Sequence, residues 1–142
     1  MATPYETIYN RFLQKCTDYD LPKLPDDELE AMLHSWLTSA IVRFVQSTSD
    51  LSKRDDELRT FLIDLEEYEK EVIALFMVVA WLEPRLNSTL LTNQMFSGKE
   101  EKHFSQAQHL QTLISLRDGA LNDAKKLVRD NSFRSINDYF NG

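Results

Sequence analysis

The chain has 142 residues, 42% of them apolar and 27% charged, which suits one domain with a packed core and a wetted surface. Three glycines and four prolines are too few for the frequent turns of a sheet-rich fold, and the single cysteine, Cys16, excludes an intrachain disulfide. The net charge of −7 is uneven: residues 1–71 carry 8 basic and 16 acidic side chains and residues 72–142 carry 8 and 7, so the first half is a poor surface for DNA. That half would suit a basic protein surface or the second half of a neighbouring copy; ordinary solubilising charge is the plainer reading.

Thr3, Pro4 and Glu6 form a helix start with a capping box, and Tyr5, Ile8, Tyr9, Phe12, Leu13 and Cys16 follow at helical spacing. Residues 1–12 lack a basic–apolar–small signal pattern. The two prolines in residues 17–25 stop this helix. Pro25-Asp26-Asp27-Glu28 opens a second one, with acids at its positive end. Its stripe runs Leu29, Met32, Leu33, Trp36, Leu37, Ala40, Ile41, Phe44, Val45 and ends near Ser47. Residues 47–65 are polar, anchored by Leu51, Leu58, Phe61 and Leu62, with a short helix expected over 55–62.

A third helix starts in a box-like segment at 64–67 and is expected to stop before Pro84. Its part at 72–82, VIALFMVVAWL, is apolar all round, which predicts a buried helix touching several neighbours. Eleven residues rise about 16 Å as a helix, roughly half a hydrocarbon core, so a membrane span is not expected. Residues 84–98 read as irregular, with Leu86, Leu90, Leu91, Met95 and Phe96 packing inward. Residues 99–129 read as one long helix, striped by Phe104, Ala107, Leu110, Leu113, Ile114, Leu121, Ala124, Leu127 and Val128, with Gly119 a point where it could bend. The segment 131–142 holds Phe133, Ile136, Tyr139 and Phe140 among small polar residues. It reads as an extended arm, docked on another subunit or folded back on its own domain. The expected fold class is therefore all-α: a small bundle of about four main helices, one long C-terminal helix and an extended tail, divided into a helical domain (1–130) and a docking tail (131–142).

Catalytic motifs are missing. Three glycines cannot build a phosphate cradle, and there is no nucleophile elbow or paired-histidine zinc motif. Cys16 lies on an apolar helix face, where a structural thiol is the default, and no spacing ties it to His34, His103 or His109. Glu100 and His103 have the spacing of one half of a di-iron motif, but Glu30 and His34 are four apart rather than three. The acids at 66–71 fit a solvated helix start. No enzyme, metal or cofactor is expected. Lys125, Lys126, Arg129 and Arg134 form a small basic cluster at the end of the long helix. They complement its negative end, and could also brush DNA or meet acids across a subunit interface.

Two segments carry a resemblance. One is Tyr5-Glu6-Thr7-Ile8-Tyr9-Asn10-Arg11-Phe12 followed by Asp18-Tyr19-Asp20-Leu21-Pro22. The other runs from Leu75-Phe76-Met77-Val78-Val79-Ala80-Trp81-Leu82 through Pro84 and Asn87-Ser88-Thr89 to Phe104-Ser105-Gln106-Ala107. The pattern resembles the head–tail connector (adaptor, neck) proteins of tailed bacteriophages, helical proteins that form a ring under the portal and join it to the stopper or tail. The resemblance implies a structural virion protein, made in the host cytoplasm, in a homo-oligomeric ring, commonly a dodecamer, around the DNA channel. Its partners would be the portal protein and a stopper or tail-completion protein, with non-specific proximity to genomic DNA and no membrane. It also implies portal docking by the C-terminal segment, with Phe133, Arg134, Ile136, Tyr139 and Phe140 as contacts and Lys125, Lys126 and Arg129 facing a neighbouring subunit or the DNA channel. The alternative is a non-virion cytoplasmic helical regulator or adaptor binding a single protein partner.

Overall fold

The computed structural model describes residues 2–16, 21–95 and 100–141, excepting the side chains of 92–106 and 141. Four helices dominate: α1 (Tyr5–Lys15), α2 (Asp26–Arg43), α3 (Glu67–Met95) and α4 (Glu100–Asn141). The fold is an all-α bundle with a long C-terminal helix, trimmed by three two-residue strands. These are β1 (Thr3–Pro4), β2 (Arg54–Asp55) and β3 (Thr60–Phe61), paired antiparallel in the order β1-β3-β2, with Thr3 opposite Phe61 and Arg54 also opposite Phe61.

The apolar segment 72–82 is the centre of the molecule. Every side chain in it is buried, and α3 packs against α1, α2 and α4. A helix with no polar face has this one solution in water. Tyr5, Ile8, Tyr9 and Phe12 of α1, Leu33, Leu37 and Ala40 of α2, and Leu113, Ala120 and Ala124 of α4 complete the core.

Several expectations are corrected. Thr3 does not cap α1. Its hydroxyl donates to the Ile63 carbonyl at 3.1 Å and accepts from the Leu65 N–H at 3.0 Å, tying the N-terminus to the approach to α3. Pro4 holds the cap position without a side-chain bond, and the Tyr5 N–H is satisfied by the Arg59 carbonyl at 2.9 Å. Residues 55–62 form the β2–β3 hairpin rather than a helix. Asp55 Oδ1 accepts from the Glu57 and Leu58 N–H groups, and Arg59 closes the turn at φ 54°, a conformation that costs a non-glycine residue about 1–3 kcal/mol. Leu58 and Leu62 are consequently exposed, whereas Leu51 and Phe61 are the anchors. α2 ends at Arg43 rather than near Ser47, so Val45 lies beyond it in solvent; of the stripe within the helix, Met32 is exposed.

Two helices run further than expected. α3 passes through Pro84 to Met95, and Leu86 beyond the proline is buried, while Leu90 and Leu91 are exposed. The side chain of Met95 and all of Phe96 lie outside the described residues. Pro84 has no N–H for the Ala80 carbonyl one turn back; next to it the Arg85 guanidinium donates to the Trp81 carbonyl at 3.3 Å and lies 4.6 Å over the Trp81 ring. α4 continues through 130–141, so the C-terminal segment is helical and no boundary falls at residue 130. Neither glycine nor proline occurs between Gly119 and Asn141 to stop it.

Candidate assembly surface

α3 and α4 form an antiparallel pair: Leu75 and Val78 of α3 share a groove with residues 116–127 of α4, while the start of α3 flanks α4 at 131–138. At 100° per residue, one face of α4 carries Leu113, Ala120, Ala124, Leu127, Asn131, Arg134, Ser135 and Asp138, all turned toward the body. Asn131, Arg134, Ser135 and Asp138 line a hollow with Leu65, Glu66, Glu67 and Tyr68. The opposite face presents Phe133, Ile136 and Phe140 at i, i+3 and i+7. They are 63%, 52% and 77% exposed, and Tyr139 beside them is 82% exposed. Tyr139 and Phe140 meet edge to face with ring centroids 5.5 Å apart.

The expected docking residues thus divide. Phe133, Ile136, Tyr139 and Phe140 form an outward aromatic stripe on a rigid helix, and Arg134 turns the other way, toward the acids at the start of α3. Lys125, Lys126 and Arg129 are exposed one to two turns before the stripe. The outward side of α4 is therefore basic first and aromatic after. Scattered exposed apolar residues are ordinary; here four are gathered on one side of a helix end as one apolar patch.

Of the groups weighed for chemistry, Cys16 and His34 have partners within the fold. Cys16 is half-buried at the end of α1, packed against the core, with its N–H bonded to the Phe12 carbonyl. His34 Nε2 lies 3.2 Å from Asp56 Oδ1, which also accepts from the Tyr5 hydroxyl at 2.6 Å. Burial and then that carboxylate push the Tyr5 hydroxyl pKa up, and the same bonds hold Asp56 below the usual carboxylate range. His109 is exposed, and the side chains of Glu100 and His103 lie outside the described residues. Among the described residues no three His, Cys, Asp or Glu are gathered to hold a metal, and no helix is long and apolar enough to cross a membrane.

Sequence reasoning missed Glu69. It is fully buried; its carboxylate accepts from Ser47 Oγ at 2.7 Å, Ser49 Oγ at 2.8 Å and the Glu66 N–H at 3.2 Å. The acids at 66–71 read as a solvated helix start, but Glu69 among them is buried, met by serines from a loop about twenty residues away in sequence. Ion pairs join α1 to α3: Arg11 meets Glu67 and Glu71, the latter at 3.1 Å, and Lys15 also meets Glu71. The chain matches no protein-family model, no curated protein and no solved structure.

Proposed function

We propose that this chain is a head–tail connector of a tailed-phage neck, a structural subunit of a ring that joins the portal to the stopper or tail around the DNA channel. The observation that supports this reading most is the aromatic stripe at the end of α4. A protein acting alone gains nothing by holding Phe133, Ile136, Tyr139 and Phe140 in water on a continuous helix, whereas an assembly part buries them on a neighbour. The resemblance attaches the portal to this segment. The Tyr139–Phe140 pair, the most exposed of the stripe, is its leading contact, while Arg134 lies on the other side of α4 from it. Lys125, Lys126 and Arg129 then face a neighbouring copy or passing DNA.

The test is a pull-down with the portal protein encoded beside this chain. Deleting residues 131–142, or replacing Tyr139 and Phe140 by Ala, removes portal binding while helicity by circular dichroism is retained apart from the deleted turns. Unchanged binding after deletion overturns docking by this segment. Mass spectrometry of purified particles detects the chain as a virion component. Its absence from particles would turn the reading to a cytoplasmic helical regulator with one protein partner.

A further inference from the structure

A groove of about 700 Å³ runs between the end of α1, the middle of α3 and α4. Its floor is apolar, made by Leu75, Val78, Leu116 and Leu127, and it opens over Gly119. A Cβ built on Gly119 meets nothing within 4 Å, so empty space lies directly above the α4 backbone there. Lys15 and Glu71 pair with each other at one edge. The α4 edge carries Asp123 and Asp130 against Lys126, one net negative charge.

The chain cannot fill this groove with its own stripe. Gly119 and Phe133 sit on one unbroken helix, roughly 21 Å apart along its axis, and the stripe points outward. A stripe of this kind can therefore enter the groove only from another copy. A fitting shape is present elsewhere on α4: Phe133 and Ile136 form an apolar ridge, preceded on the outward face by Lys125 and Arg129, whose charge complements Asp123 and Asp130.

We propose that the groove receives the Phe133–Ile136 ridge of a second copy of this chain. Ridge and groove lie on different parts of α4, so the contact either repeats head to tail and closes into a ring, or is exchanged reciprocally across a two-fold axis and closes as a dimer; the connector reading requires the first. This deepens the connector reading by naming the contact between copies, and rests on it for the requirement of a ring; the more distal Tyr139–Phe140 tip remains for the portal.

Sedimentation velocity across a concentration series measures the association, and cross-linking locates it. In a Cys16→Ser background, mixing Gly119→Cys with Ile136→Cys chains gives a disulfide between copies, while Gly119→Cys mixed with the exposed control Glu57→Cys does not. Gly119→Phe, which fills the groove, and Phe133→Ala with Ile136→Ala each weaken association about tenfold or more. Gly119→Ala leaves it unchanged. Chains reversed at the groove (Asp123→Lys, Asp130→Lys) associate again when mixed with chains reversed at the ridge (Lys125→Glu, Arg129→Glu). Gly119→Phe keeps its portal binding, since the tip is untouched. A wild-type chain that stays monomeric up to about 1 mM, or a folded Gly119→Phe that associates like the wild type, overturns the proposal. Portal binding lost only on Tyr139→Ala and Phe140→Ala would leave the connector reading standing in that case.

Discussion

Glu69 has no exposed surface, yet it carries a carboxylate into the base of α3. Burying an ionisable group is tolerated only when its oxygens are met, and here the Ser47 and Ser49 hydroxyls and the Glu66 N–H meet them. The arrangement stitches the loop after α2 to the first turn of α3. Glu69→Ala leaves three donors without their acceptor and should cost on the order of 3 kcal/mol. Glu69→Gln, which keeps one oxygen and offers donors to hydroxyls that can turn, should cost clearly less. Urea unfolding checks both, as a fall in midpoint at constant slope for the first and a smaller one for the second. Thr3 works on the same principle over a longer separation, one hydroxyl bonding both Ile63 and Leu65.

Among the elements, α3 holds a proline in its interior and continues, because the helix beyond it has Leu86 to bury and the segment before it is locked among three other helices. Packing outweighs the local penalty. Pro84 itself is exposed, so Pro84→Ala restores a backbone donor without disturbing the core. It should raise stability by up to about 3 kcal/mol, seen as a higher Tm. The periodicity of α2 was legible in the sequence, but where it stops and which flank stays wet were not: Met32 lies at the edge of the stripe and faces solvent, and Val45 fits the spacing but lies past the end of the helix at Arg43. For α4 the aromatic spacing 133, 136, 140 was readable, but it is equally compatible with a docked arm. The absence of any breaker between Gly119 and Asn141 is the signal for helix.

For the whole molecule, the joint between α1 and α3 is electrostatic at its rim. Burial pushes the Glu71 carboxyl up, but Lys15 and Arg11 more than offset this and hold it below its ordinary value. Lys70, then Arg11, does the same for Glu67, and bonds from Tyr5 and His34 do so for Asp56. A carboxylate whose folded pKa is depressed contributes stability that is present above its unfolded pKa, about 4, and is lost as pH falls through the folded value. Tm should therefore be steady from neutral pH down to about pH 5 and fall progressively below about pH 4. Glu71→Gln should flatten that fall, because it removes one of the titrating groups. Thermal melts across a pH series measure both.

The sequence by itself determined that the chain is helical, that residues 72–82 are its centre, and that Phe133, Ile136, Tyr139 and Phe140 cluster within one short segment. Those follow from periodicity and from the cost of wetting an apolar segment, both local properties. Tertiary structure alone decided that Pro84 lies inside a helix, that Thr3 and Glu69 fasten distant loops, that Arg134 parts from the residues around it, and that the ridge of α4 points away from a groove it cannot reach. Each depends on which faces meet after folding, and a periodic pattern states only that a face exists, not what covers it.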